Sequence, residues 1–259
     1  MKLLNPALAS SASAFALLAA ATGYAASSGN FTAGVNNANC TINSATGGFS
    51  TGNTSNSAGT AWPISTQNLQ IQVSSGNGVA LEITPSAVSG LYTDNKLQSS
   101  GSSTEDVGVQ VQVNVAPAPG TSLSGPIQIS PNVSGDPNNP TDTGATCVAP
   151  AGSPAGTVSS CVIYDQRFVQ ISSSALQQLA AAANITGTLF EMIESTLSAH
   201  SFNFYVQTPN GGDYNITAQA QLFVGNNNSS PGSVAGCFGP GTLTVQQVNN
   251  FSFDTPLGF

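Results

Sequence analysis

The sequence predicts a mainly β fold: an antiparallel β-sandwich, jelly-roll or immunoglobulin-like, with two short helices inserted late in the chain. Three observations predict it. Apolar and polar residues alternate in many short runs, the period of a strand with one buried face. Clusters of Gly, Pro, Asn and Ser separate these runs. Helical spacing interrupts them in a single region, around residues 174–200. A length of 259 residues suits one large all-β domain or two small ones.

Residues 1–25 read as a secretory signal. Lys2 gives the positive start, Phe15 to Ala21 an apolar centre, and Gly23-Tyr24-Ala25 the small residues that a signal peptidase inspects. The apolar run is short for a membrane span of about 20 residues. Residues 26–61 are rich in Asn, Ser, Gly and Thr. They read as a loosely ordered segment or an edge strand. Residues 62–259 read as the sandwich domain, opened by Trp62-Pro63-Ile64.

Leu69, Ile71 and Val73, then Val79, Leu81 and Ile83, alternate on either side of a Ser/Gly/Asn loop, which predicts a hairpin. Leu91 to Leu97 reads as a short edge strand. The odd positions Val107 to Val115 carry five valines on one face, the clearest strand in the chain. Pro117 and Pro119 end it, because proline gives the ladder no donor. Ile127 and Ile129 suggest another short strand, and residues 131–160 a long Pro/Gly/Asn/Thr loop. Val162 to Ile171 reads as a strand.

Ser174 to Ala183 reads as a helix with Leu176 and Leu179 on one side. A second helix is predicted from Thr188. Thr188 and Glu191 have capping-box spacing, and Leu189, Ile193 and Leu197 recur every four residues. After it, Phe202, Phe204 and Val206 alternate, Pro209 to Gly212 is turn chemistry, and Tyr214 to Val224 alternates again. This predicts a second hairpin. Leu243, Val245, Val248, Phe251 and Phe253 follow.

Charge excludes several functions. Only 5% of residues are charged, against about 25% in an average globular protein. The net charge is -8. Loss of Lys2 with the signal leaves Lys96 and Arg167 against eleven acidic residues, or -9. So few cations neither neutralise nucleic-acid phosphates nor bind an anionic membrane. Cys40, Cys147, Cys161 and Cys237 are an even number in an exported chain, which suggests two disulfides. Three connectivities are open. The preferred one joins Cys147 to Cys161 and Cys40 to Cys237. With no Cys-x-x-Cys pair and one histidine, no metal or other cofactor is expected.

Val162-Ile163-Tyr164-Asp165-Gln166-Arg167, Leu197 to Tyr205 and Tyr214 to Ala220 resemble a group of uncharacterised secreted bacterial proteins, over about residues 161–248. The resemblance implies a secreted bacterial β-rich domain and carries over no functional residues.

Candidate chemistry is sparse. His200 is the obvious acid–base group, but no serine sits in a Gly-x-Ser-x-Gly elbow. A histidine at a helix C-terminus explains it as well. Glu191 with Glu194, and Glu105 with Asp106, are the close carboxylates of a glycosidase-like pair, yet a cap and a loop edge account for them. Asp165 and Arg167 share a strand face and fit an ion pair. Asp136 to Asp142 has calcium-binding residue types without the EF-hand order. Phe251, Phe253, Leu257 and Phe259 alternate like the terminal strand of an outer-membrane barrel or a pilin, interrupted by Pro256.

The leading expectation is a non-enzymatic structural or adhesive protein at or outside the cell surface, associating with itself or with a neutral polysaccharide. The alternative is a polysaccharide-binding module with Trp62, Tyr92 and Tyr205 as its stacking face. A glycoside hydrolase and a membrane barrel rank below both.

Overall fold

In a computed structural model, residues 30–38, 40–43, 45–49, 53–55, 62–74, 79–98, 103–131, 147, 149–171, 174–184, 186, 188–224 and 233–248 are described. The expected signal, the Asp136 to Asp142 cluster and the terminal phenylalanines lie outside them. The strands are β1 (Phe31–Asn36), β2 (Asn53–Ser55), β3 (Trp62–Val73), β4 (Val79–Gln98), β5 (Ser103–Pro117), β6 (Gln128–Ser130) and β7 (Val158–Ile171). The helix α1 (Ser174–Ala182) comes next, then β8 (Thr188–Ser201), β9 (Phe204–Thr208), β10 (Gly212–Val224) and β11 (Ser233–Val248).

Two antiparallel sheets form the sandwich. One has the order β3-β10-β5-β7. The other is built on the long pair β4 and β11. On one flank, β9 pairs with the start of β4 and β8 with the remainder. On the other, β1 and β2 pair with the two ends of β11. Within residues 26–61, β1 and β2 thus join this sheet.

The core follows the alternation in β5. Val107, Val109 and Val111 enter one apolar cluster with Leu91, Tyr164, Leu222 and Phe238. Val113 and Val115 enter a second with Leu81, Ile83, Phe204, Tyr214 and Leu243. Val162 packs against both. The Tyr164 hydroxyl donates to the Pro85 carbonyl, which satisfies its polar end within the core.

Four expectations are corrected. Thr188 to Leu197 is strand, not a second helix. Residues four apart share a face of a strand as well as of a helix. Thirteen cross-strand partners on β4, from Gln98 to Ser86, decide between the two. Glu191 therefore caps nothing and pairs with Lys96 at 3.1 Å. Neither predicted hairpin forms: β3 and β4, and likewise β9 and β10, lie in opposite sheets. Alternation shows that one face is buried but not which neighbour supplies the ladder, so a corner between sheets reads like a hairpin. Leu91 to Leu97 is no edge strand but the second half of central β4. In α1 the anchor is Ala180, 1% exposed, while Leu179 is 64% exposed.

Both disulfides have the preferred pairing, Cys40–Cys237 and Cys147–Cys161. The first pins the hairpin-like bridge Ile42–Phe49 over Gly90, where an added Cβ would meet Cys237 Sγ and Phe49 Cζ at 2.7 Å. The second fastens the loop before β7 to that strand.

Candidate functional site

The outer face of the four-stranded sheet carries amides and hydroxyls in register. Gln219 of β10 lies between Thr66 of β3 and Gln112 of β5. Thr217 lies between Asn68 and Asn114, and Asn114 faces Ser159 of β7. Side-chain hydrogen bonds run across the strands. Gln110 Nε2 donates to Gln221 Oε1 at 3.0 Å, and Gln221 Nε2 to Gln112 Oε1 and Gln219 Oε1, each at 3.2 Å. Gln112 Nε2 donates to Asn114 Oδ1 at 3.0 Å, Ser159 Oγ to the same oxygen at 2.5 Å, and Thr217 Oγ1 to Asn68 Oδ1 at 2.9 Å. Gln110, Gln112 and Asn114 are buried by this packing although they point away from the sandwich core.

A wall rises beside this ladder. Pro150-Ala151-Gly152-Ser153 and Pro154-Ala155-Gly156-Thr157 form two successive turns. In each, the fourth residue's N–H and hydroxyl both bond to the proline carbonyl: Ser153 to Pro150 at 3.1 and 2.7 Å, Thr157 to Pro154 at 3.1 and 2.6 Å. Gly152 (φ 86°) and Gly156 (φ 84°) supply the left-handed third position of a type II turn. Wall and ladder enclose a groove of about 400 Å³. Its floor is Thr66, Asn114, Ala116, Asn215, Thr217 and Gln219. In the sequence its wall lies hidden within residues 131–160, which read as one long loop. The tandem Pro-Ala-Gly-Ser and Pro-Ala-Gly-Thr is the signal that was available.

His200 lies on β8, not at a helix end. Its Nε2 is 2.7 Å from Ser198 Oγ, which donates to Asp165 Oδ2 at 3.0 Å. Three residues of catalytic type thus meet in the wrong order. A hydroxyl has one proton. With that proton on Asp165, His200 Nε2 must donate to Ser198, so it is not a base for it; an activated serine needs the reverse. Arg167 Nη2 donates to Thr196 Oγ1 at 2.6 Å, and its Nη1 lies 4.0 Å from Glu194. Asp165 and Arg167 therefore do not pair with each other. Both reach across to β8 and close the seam between the sheets. A shallow cleft of about 420 Å³ beside His200 is edged by Val88, Ala199 and Pro240.

The three aromatics proposed as a stacking face stand apart. Tyr205 is opposite Glu82 of β4 and donates to its carboxylate at 3.3 Å, alongside Asn203 at 2.8 Å. Tyr92 lies ten residues further along β4, about 33 Å at strand rise, in contact range of Gly47 and Gly48. Trp62 pairs with Leu222 in the other sheet. Glu191 and Glu194 point to opposite faces of β8, toward Lys96 and Arg167. Asp106 accepts from Gln166 at 3.1 Å. Among the described residues no cluster of three or more His, Cys, Asp or Glu could hold a metal ion. No described helix is long and apolar enough to cross a membrane.

One charged cluster has shifted titration. Lys96 bridges Asp94 and Glu191, each at 3.1 Å. Burial raises the Asp94 carboxyl above its ordinary range, against the pull of Lys96. The Lys96 hydrogen bond lowers Glu191, and Glu191 in turn raises Lys96. In comparisons with known proteins, no family model matches this chain, and neither a curated protein nor a solved structure does so.

Proposed function

We propose that this protein is an exported, non-enzymatic β-sandwich with a structural or adhesive role at or outside the cell surface. The observation that carries the reading is the pair of disulfides, Cys40–Cys237 and Cys147–Cys161. Disulfides persist in oxidising compartments and are rare in the cytosol. The signal-like residues 1–25 and the resemblance to secreted bacterial proteins support the same compartment. The polarity of the Asp165–Ser198–His200 chain supports a structural rather than catalytic use of those residues. The crossings of β3 to β4 and β9 to β10 between sheets support a jelly-roll or immunoglobulin-like class for the sandwich.

Fractionation of the producing cells tests this, with thiol alkylation and an unboiled, non-reducing gel of each fraction. The expected result is a chain starting at Ala26, with all four cysteines oxidised, in the surface fraction or the medium. A ladder of large species would assign self-association. A full-length, reduced chain in the cytosol would overturn the reading. A polysaccharide-binding module is the second reading, and the groove on the four-stranded sheet favours it.

A further inference from the structure

We propose that the groove between the amide ladder and the tandem proline turns binds a neutral, polyhydroxylated polymer, a chain of uncharged sugars. The argument rests on what the ladder leaves unused. Asn114 Oδ1 already accepts from Gln112 and Ser159, so what Asn114 offers the groove is its amide N–H groups. Gln219 Oε1 accepts from Gln221, which leaves the Gln219 N–H groups. The hydroxyl protons of Thr217, Ser153 and Thr157 are committed to Asn68, Pro150 and Pro154. Those three oxygens face a ligand as acceptors. Asn215 keeps both functions. The network thus sets the donors of Asn114 and Gln219 beside the acceptors of Thr217, Ser153 and Thr157, all uncharged.

A sugar hydroxyl is donor and acceptor at once and answers both sets. The Pro150 and Pro154 rings and Ala116 give apolar surface for the C–H face of a sugar ring. An apolar ligand fits worse, because it would strip water from the amides without replacing their bonds. An ionic ligand finds no counter-charge among the lining residues. The volume, about 400 Å³, falls within the usual range for small-ligand sites of about 300–1,000 Å³. This site gives the adhesive reading its ligand and rests on that reading. Its test uses purified protein, so failure of binding and failure of export are separate results.

The test is a titration of the purified chain with cellohexaose, maltohexaose and xylohexaose, against hexagalacturonate as the acidic comparison. At least one neutral hexasaccharide is expected to bind, with an affinity insensitive to salt. The Asn114 and Gln219 side-chain N–H signals should shift on binding in the NMR spectrum. Asn215→Ala and Gln219→Ala should each weaken binding about fivefold, the loss of one hydrogen bond, and Asn215→Ala, which leaves the ladder intact, should not change thermal unfolding. The proposal is overturned if no neutral hexasaccharide binds, if hexagalacturonate binds more tightly, or if a bound sugar shifts neither amide. Should a variant fold poorly, the amide shifts in the unaltered protein decide.

Discussion

Removing the two disulfides separately, by paired Cys→Ala substitution, should destabilise the protein by unequal and calculable amounts. Cys147 and Cys161 are 14 positions apart, Cys40 and Cys237 197 apart. In the chain-entropy model the short closure is worth about 3 kcal/mol and the long one about 5. At about 2–4 °C per kcal/mol for a chain of this size, the midpoint should fall by roughly 6–12 °C without the first and 10–20 °C without the second. Alanine is the right replacement because all four residues are buried. A serine hydroxyl there would add an unpartnered polar group. A second effect has the same sign. Without Cys40–Cys237, the Ile42–Phe49 bridge is no longer held on Gly90 and Leu197, and apolar contact is lost as well. Thermal and urea unfolding followed by circular dichroism measure both variants. If the Cys147/Cys161 variant loses as much as the Cys40/Cys237 variant, or more, loop closure is not what these bonds contribute and the reasoning fails.

Gly108→Ala should destabilise by about 1–3 kcal/mol, the usual cost of overpacking. Its Cβ would lie 2.2 Å from Phe223 Cζ and 2.8 Å from the Asp165 carbonyl, and an unchanged urea midpoint would refute this packing. Leu91→Ala should cost about 2–5 kcal/mol and Leu197→Ala less than about 1. Leu91 is fully buried, whereas Leu197 is 40% exposed on the outer side of β8. Equal costs would mean that β8 is wrongly oriented. Asp94→Asn should stabilise at neutral pH and lose that advantage on acidification. Burial raises the folded-state Asp94 above its ordinary 3.8, so its ionisation opposes folding at pH 7, and below both values the carboxyl is neutral in either state. Glu191 has the opposite sign: its lowered value favours folding above about 4.5 and is lost as pH falls through the folded value. The two act in opposite directions and the chain has few other titratable groups, so unfolding of the unaltered protein should depend little on pH from 7 to 3. A steep loss over that range in pH-dependent melts would contradict this.

Legibility of the sequence tracked how many structures a pattern allows. Five valines at alternate positions from Val107 to Val115 fit a strand and no helix, and β5 runs through them. Leu189, Ile193 and Leu197 fit both. Isolated, Thr188 to Leu197 carries a good helix start. Only β4, about a hundred residues earlier in the chain, supplies the ladder that makes it β8. Long-range pairing outweighed local propensity there, as it commonly does for strands. Four cysteines in an exported chain imply two disulfides, and of the three open connectivities the preferred one is the one observed. The groove was not legible, since its floor comes from three strands distant in sequence. Trp62, Tyr92 and Tyr205 share an aromatic residue type, which says nothing of proximity.

The same ladder explains how a chain with so little charge keeps its strands in register. A slip of one residue turns every side chain to the other face. In most sheets cross-strand ion pairs and apolar contacts on the outer face help to forbid it. Here the cross-strand bonds of Gln221 to Gln110 and Gln112, and of Ser159 to Asn114, help to do so. Shifting β10 by one position against β5 would carry Gln221 to the core face, opposite Val109 or Val111, and leave its amide buried without a partner. Asn114 belongs to both the ladder and the groove floor. Sheet specificity and the neutral, polar binding surface therefore meet at Asn114. Gln112→Leu, which removes the bonds of Gln112 to Gln221 and Asn114 without removing volume, should disturb both at once.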